Sequence, residues 1–555
     1  MGRLLTIAAV LLLGAVGAAL AWTPDFVIVG AGNSGCVLAA GLAKFKHTKV
    51  LLISEGFEED YVPADNRFMS WWTTSIPATN PVYVGDNPAN EPVLSNENSG
   101  FANNVRQYSP RCPIPGGCSG TNGQTWDVNA DDYWNLTAAY VGDARWAAPN
   151  MREQRKWTES YQGVGNVACH GTHGGINLSA PNPEPTGIAI MNALAANLSI
   201  PLRADTICAD SNVGVGATAR NIDANGYVRQ NTYFELVKPI YDSQTDDRLR
   251  VEFGAVAIDL VTKNSDATVV KCLDYVDSSG QTQRVCPNSE ILLTMGGIGT
   301  PRFLFLNGIG PCSQLASVGV SRCLVDNANV GQHIRTQAAY VVPLTANPEA
   351  RVPMSTVMSH YFSDSAKARG DPLPNLMIAS GQILQFDSAS VILAILQLTR
   401  PQDEGFMRLQ SAYRHTPVFL SYNIGLNHPE DITDLAGALL QLRNVIAEVN
   451  KAGYTLTETG ATVPLVTLAQ IRNALVTTQL ASENWHHVGS VRMGKAGDST
   501  AVADSEGHIF GLTGVRVADN SLMVYGHPGH ASQSGARDVG VVILQMVAQQ
   551  FGLAV

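Results

Sequence analysis

Residues 25–56 read DFVIVGAGNSGCVLAAGLAKFKHTKVLLISEG, and this stretch decides the fold. Phe26–Val29 is a short apolar run of the kind buried on both faces of a parallel sheet. Gly30, Gly32 and Gly35 follow with the spacing G-x-G-x-x-G. In that pattern the first glycine makes the tight turn, the second lets backbone approach a pyrophosphate, and the third lets helix and strand pack closely. Residues 36–43 predict a helix of small residues, and residues 49–53 a second buried strand. The N-terminus of that helix offers unpaired N–H groups and partial positive charge to phosphates. Glu55 closes the unit roughly 20 residues past Gly35, where a carboxylate accepts from ribose hydroxyls. A lone glycine motif fits a turn in any α/β protein. Strand, helix, second strand and terminal acid together predict a dinucleotide site. The acid favours FAD or NAD over NADP.

With 555 residues, 45% of them hydrophobic, the chain is long enough for more than one domain. A net charge of −11 without a long basic run argues against a nucleic-acid partner. Met1-Gly-Arg, an apolar run over residues 4–18 and Ala19-Leu-Ala21 predict a signal peptide over residues 1–21. The expected product is secreted and has no stable membrane insertion. Nine cysteines fit that compartment. Cys36, inside the nucleotide-binding helix, is expected to be a free core thiol. Cys272 with Cys286, and Cys312 with Cys323, are candidate bridges; the pairing of Cys112, Cys118, Cys169 and Cys208 stays open. No C-x-x-C pair or histidine cluster has metal spacing, so no metal is expected. Asn135-Leu-Thr, Asn177-Leu-Ser and Asn197-Leu-Ser are glycosylation acceptors if exposed.

Farther along, residues 57–105 read as an excursion over the nucleotide site, followed by Gly116-Gly-Cys-Ser-Gly-Thr-Asn-Gly123. Small residues there let backbone lie flat against a ligand, although a mobile loop has the same composition. Asp132-Tyr-Trp134 opens a helix. Residues 249–294 alternate like strands, turns at 264–266 and 278–280 between the middle runs suggest an antiparallel meander, and the last run is a buried strand passing through a glycine turn into a helix. Leu435, Leu439, Leu442, Ile446 and Val449 recur at helical spacing. Two histidine segments lie near the C-terminus, Asn484-Trp-His-His-Val-Gly489 and Tyr525-Gly-His-Pro-Gly-His530.

Five separated pieces in this order resemble the glucose–methanol–choline (GMC) oxidoreductase family. They are the glycine unit with Glu55, the segment 116–123, Met295-Gly-Gly-Ile-Gly-Thr-Pro leading to Asn307-Gly-Ile-Gly-Pro311, Asn484-Trp-His-His-Val-Gly with Arg492-Met-Gly, and Gly514-Val-Arg-Val-Ala-Asp519 leading to His530. The resemblance implies an α/β fold. A Rossmann-like FAD-binding domain would be interleaved with a substrate domain of antiparallel sheet and helices. The FAD-binding parts would be residues 22–334, with substrate-side excursions around 57–105 and 150–230, and residues 481–555. The substrate domain would be residues 335–480.

By the same resemblance, Gly30, Gly32, Asn33, Ser34, Gly35 and Glu55 would hold the ADP half, and Val256 would meet adenine through its backbone. Cys118, Asn122 and Gly123 would line the flavin, with Trp485, Asp519 and Ala531 completing the cofactor set. His486 matches the reactive histidine and His530 its partner, leaving His487 and His527 as decoys. Thr121 stands where some members carry a flavin-tethering histidine, so non-covalent FAD is expected. The implied reaction oxidises the CH–OH group of a small alcohol, passing electrons to oxygen or another acceptor. The alternative is a hydroxynitrile lyase with redox-silent FAD, and a third reading is a catalytically silent flavoprotein. The sequence Gly535-Ala-Arg-Asp538 departs from the family pattern.

Overall fold

A computed structural model describes residues 22–58, 93–94, 108–109, 112–163, 167–180, 183–223, 228–346, 356–386, 389–459, 465–477, 481–530 and 532–554. The leader over residues 1–21, nearly all of the excursion over 57–105, and Ala531 lie outside the described residues.

The core is a five-stranded parallel sheet in the order Val515–Val517, Glu290–Leu293, Phe26–Val29, Val50–Ile53, Leu249–Glu252. Numbered along the chain that order is 5-4-1-2-3, the doubly wound arrangement that binds dinucleotides where the winding reverses. The three central strands are buried along their whole length, as uninterrupted apolar runs require. The reversal falls between Phe26–Val29 and Glu290–Leu293, and a helix leaves each strand there: Asn33–Leu42 and Gly296–Leu306.

The first and last runs of residues 249–294 belong to this parallel sheet, the last as the buried strand expected before a helix. Leu249–Glu252 pairs with Val50–Ile53, and Glu290–Leu293 lies between strands 26–29 and 515–517. The antiparallel unit is the middle portion, Val256–Lys263, Asp266–Val276 and Thr282–Val285. The bridge Cys272–Cys286 clips it, and Cys312–Cys323, Cys112–Cys118 and Cys169–Cys208 are also joined. Cys36 is free and buried, as expected.

A second, ten-stranded sheet is mostly antiparallel. Its central strands are Ala338–Ala346, Ala389–Leu398, Leu376–Phe386 and Thr356–Tyr361, and it continues through Gly214–Arg220 into Ile176–Ala180 and Glu159–Gly163. This sheet is thus built from two distant parts of the chain. Helix Glu430–Lys451 packs on it, burying Leu435, Leu439, Leu442 and Val449. Among the described residues no helix is long and apolar enough to cross a membrane.

The C-terminal helix Ser532–Phe551 lies along Asn33–Leu42. Ser34 Oγ donates to Ala536 O at 2.6 Å, and Gly41 admits Leu544, whose side chain an added Cβ would meet at 2.1 Å. The departure at Arg537-Asp538 has a structural explanation. Arg537 stacks on Trp126, 4.4 Å from the ring centroid, and the Asp538 carboxylate takes a two-pronged bond from Arg155 at 2.8 and 2.5 Å. Burial pushes the Asp538 carboxyl up, against the pull of the Arg155 charge. Removing one partner of a buried pair leaves the other charge unpaired. The Asp538→Ala variant is therefore expected to lose about 3–5 kcal/mol of stability by denaturant titration.

Candidate active site

At the winding reversal the backbone is packed to contact. Gly30 has φ +111°, and a Cβ there would sit 2.7 Å from Thr294 O. A Cβ on Gly35 would meet Gly30 O at 2.0 Å. Gly32 is different: the nearest atom to its added Cβ is Thr294 O at 3.9 Å, so it faces open space. Gly32 is also the N-cap of helix Asn33–Leu42, and no side chain caps that end. Its first-turn N–H groups are left for a ligand.

That open space is a cavity of about 610 Å³, within the size range of cofactor pockets. Its wall includes Gly30, Gly32, Asn33, Ser34 and Glu55 from the first unit, and Cys118, Asn122 and Gly123 from the glycine segment. Val256, Trp485, His486, Asp519 and His530 complete the set brought together from the sequence expectation. Gly35 is not on the wall; its task is packing. Cys118 reaches the wall as half of the Cys112 bridge.

Asp519 joins the two halves of the reversal. Its Oδ2 accepts from Gly296 N at 2.8 Å and from Thr300 Oγ1 at 2.6 Å, while Oδ1 accepts from Ser521 N at 2.8 Å. It ties the end of strand Val515–Val517 to the start of helix Gly296–Leu306. Burial raises its pKa even against those bonds.

The glycine segment is held by a residue that sequence reading missed. Arg229 Nη1 donates to Asn122 O at 2.6 Å, Asn122 Oδ1 at 3.0 Å and Ser119 O at 3.3 Å. Asn122 Nδ2 donates in turn to Gln533 Oε1. Nothing in the local sequence around Arg229 marks it, because its partners lie more than a hundred residues away.

The histidine pair meets edge to face, ring centroids 4.6 Å apart. Trp485 precedes His486 with φ +54°, a left-handed conformation costing roughly 1–3 kcal/mol in a non-glycine residue. Around that turn Asn484 Nδ2 donates to Gln397 Oε1 at 2.8 Å, and His486 Nδ1 lies 2.5 Å from Gln337 Oε1. Neither glutamine was expected from sequence. Gln397 carries a legible signal, a lone amide inside the apolar run 391–398. Burial, reinforced by His530, His527 and His487, holds the His486 pKa well below 6.5. Burial likewise lowers His530 to about 4, against the pull of Asp127.

His487 also lines the cavity, and it and His527 each have partners of their own. His487 Nε2 lies 2.9 Å from both Glu483 Oε2 and Tyr422 Oη. His527 is buried against Asn129, with its pKa pushed down to about 3, chiefly by burial. Cys169, His170, Asp205 and Cys208 cluster away from the cavity wall. The two sulfurs are joined to each other, which leaves a His170–Asp205 pair at 2.9 Å.

Fold and site together define a dinucleotide-dependent α/β protein with paired histidines on the cofactor cavity. Residues 401–532 match the family model described as GMC oxidoreductase. The chain is 27% identical to choline oxidase of Arthrobacter globiformis, covering 90% of each chain. It is 26% identical to 5-(hydroxymethyl)furfural oxidase of a Methylovorus species, covering 90% of this chain and 94% of that one. In three dimensions it resembles pyridoxine 4-oxidase from Mesorbium loti with TM-score 0.79 at 21% identity, covering 95% and 99% of the two chains. The chain is thus similar over nearly its whole length to GMC oxidoreductases, a likeness that implies FAD as the cofactor.

The cavity fits that cofactor on its own geometry. The uncapped helix start beside Gly32 would receive its phosphates, and Glu55, on the same wall, would take a ribose. Gly32→Val should fold normally, because the added carbons enter empty space, yet fail to retain FAD. Gly35→Ala should instead lower the unfolding midpoint itself, because its methyl meets backbone. Flavin absorbance and thermal unfolding of the two variants separate these outcomes.

Proposed function

We propose that this chain oxidises the CH–OH group of a small alcohol, with His486 accepting the hydroxyl proton and His530 orienting the hydroxyl. The observation that carries the reading is the edge-to-face histidine pair on the wall of the dinucleotide cavity. FAD, when bound, supplies the two-electron acceptor for the hydride leaving carbon. The protein supplies position and a proton site. A histidine whose pKa is held low by burial is neutral at pH 7 and has a lone pair to offer. His530 stands beside it, and its backbone N–H is anchored on Asp127 Oδ2 at 2.7 Å.

FAD is held without a covalent link in this reading. Thr121 occupies the position of the tethering histidine, and its hydroxyl lies 3.4 Å from Cys112 Sγ. The chain is secreted in the same reading, which the apolar leader and four bridges support. Acid precipitation should release all of the flavin, and the mature N-terminus should be Trp22.

The central test mixes the FAD-loaded protein anaerobically with sugars, aryl alcohols and short aliphatic alcohols and follows the flavin band. One alcohol class should bleach it, and His486→Ala should slow that bleaching roughly 10²–10⁴-fold with FAD still bound. Because the His486 pKa is lowered, the base stays neutral as pH falls through 6.5. The acid limb of kcat/KM should therefore lie below pH 6.5. A flavin that dithionite reduces and no alcohol bleaches would overturn the reading in favour of the lyase.

A further inference from the structure

We infer that Gln337 is a positioning residue that fixes His486 in the tautomer protonated on Nδ1, leaving Nε2 bare to accept the substrate proton. The inference rests on the reading of His486 as the base.

A side-chain amide has two N–H donors and an oxygen with two lone pairs, and at Gln337 all four are committed. Nε2 donates to Gly529 O at 2.7 Å and to His527 O at 3.0 Å. Backbone carbonyls only accept, so the nitrogen must lie on that side and the amide cannot be flipped. The oxygen is thereby turned toward His486 Nδ1, at 2.5 Å, and its other lone pair accepts from Gln397 Nε2. Gln397 is fixed in turn, because its Nε2 must face the Gln337 oxygen, which leaves its own oxygen to accept from Asn484 Nδ2 at 2.8 Å. Gln337 is 1% exposed and Gln397 0%, so water does not compete for these bonds. An acceptor oxygen this close to Nδ1 requires the proton there. In the other tautomer two lone pairs would face each other in a buried site, and Nε2 would carry a proton and have nothing to accept with.

The orienting group is a neutral amide, not a carboxylate. An acid here would stabilise the imidazolium and raise its pKa, as the acid of a serine–histidine–acid triad does. Among the described residues, the ionisable groups that act on His486 are His530, His527 and His487, and none of these supplies a negative charge. The alcohol proton would pass to Nε2 while the imidazolium keeps its Nδ1 proton on Gln337, and bound FAD would supply the acceptor for the hydride lost from carbon. The balance is one proton and one hydride removed from one alcohol.

The test is NMR of FAD-loaded, full-length protein with ¹⁵N-labelled histidine, run beside stopped-flow reduction. In the wild type His486 should show a protonated Nδ1 and an unprotonated Nε2; the reverse pattern overturns the inference. In Gln337→Glu the His486 titration and the acid limb of kcat/KM should both move up by about one pH unit or more. Gln337→Leu should give mixed tautomers, with kcat lower by roughly 10²-fold, KM changed far less and no upward shift of the acid limb. Equal loss of rate in both variants with an unmoved His486 titration would reduce Gln337 to a packing residue and overturn the inference. Should a variant fail to load FAD, the wild-type tautomer decides alone. Absence of bleaching by any alcohol would defeat the proposed activity while the tautomer measurement still stands, so the two failures are distinguishable.

Discussion

The close contact between two parallel strand ends sets the geometry from which the rest follows. Thr294 Oγ1 reaches across from one strand end and donates to Val29 O and Gly30 O, at 2.9 and 2.7 Å. This contact is possible only because Gly30 and Gly35 carry no Cβ. It brings two helix starts to one crevice, where backbone dipoles face the same cavity. Asp519 then closes the ring by binding the start of the second helix from a strand more than two hundred residues away. The cofactor cavity is what remains when these backbone contacts are satisfied, so its shape is set before any side chain on its wall is chosen.

The C-terminal helix couples this floor to the histidines. It begins at Ser532, just past His530, and is fastened along the first helix by the Ser34–Ala536 bond. Its buried Arg537 and Asp538 are held by Trp126 and Arg155. A buried ion pair contributes little net stability compared with apolar packing, but its directionality fixes how the helix is rotated. Ser534 Oγ donates to Asp127 O at 2.5 Å, so the helix also sets the chain segment that anchors the His530 backbone.

Much of this was legible in sequence where the signal is local. The glycine unit, the helices at Asp131–Val141 and Glu430–Lys451, and the bridges within residues 272–286 and 312–323 each carry their own pattern over a short span. The pairing of Leu249–Glu252 was not legible. A four-residue run with apolar positions reads alike in either sheet, and its partner Val50–Ile53 lies about two hundred residues earlier. Gln337 and Arg229 were hidden for a related reason. A polar residue on a strand or loop looks like surface until the tertiary fold buries it, as it does here to 1% and 3% exposure.

The arrangement around the histidines keeps negative charge away from the His486 ring, the base in the proposed reaction. Asp127 is the carboxylate beneath them, and burial works against its charge; His360, 3.2 Å away, and the His530 amide hold its pKa below the ordinary carboxylate value. Its negative charge is therefore directed at His360 and at the backbone of His530, not at the His486 ring. His486 receives a neutral amide and the company of other imidazoles. A carboxylate in the place of Gln337 would bind the imidazolium more tightly, but would leave the ring protonated before substrate arrived. A low-pKa imidazole is a weaker base, yet it is present in the accepting form at neutral pH. Once it is protonated, the burial that lowered its pKa also strengthens its attraction for negative charge developing on the adjacent oxygen.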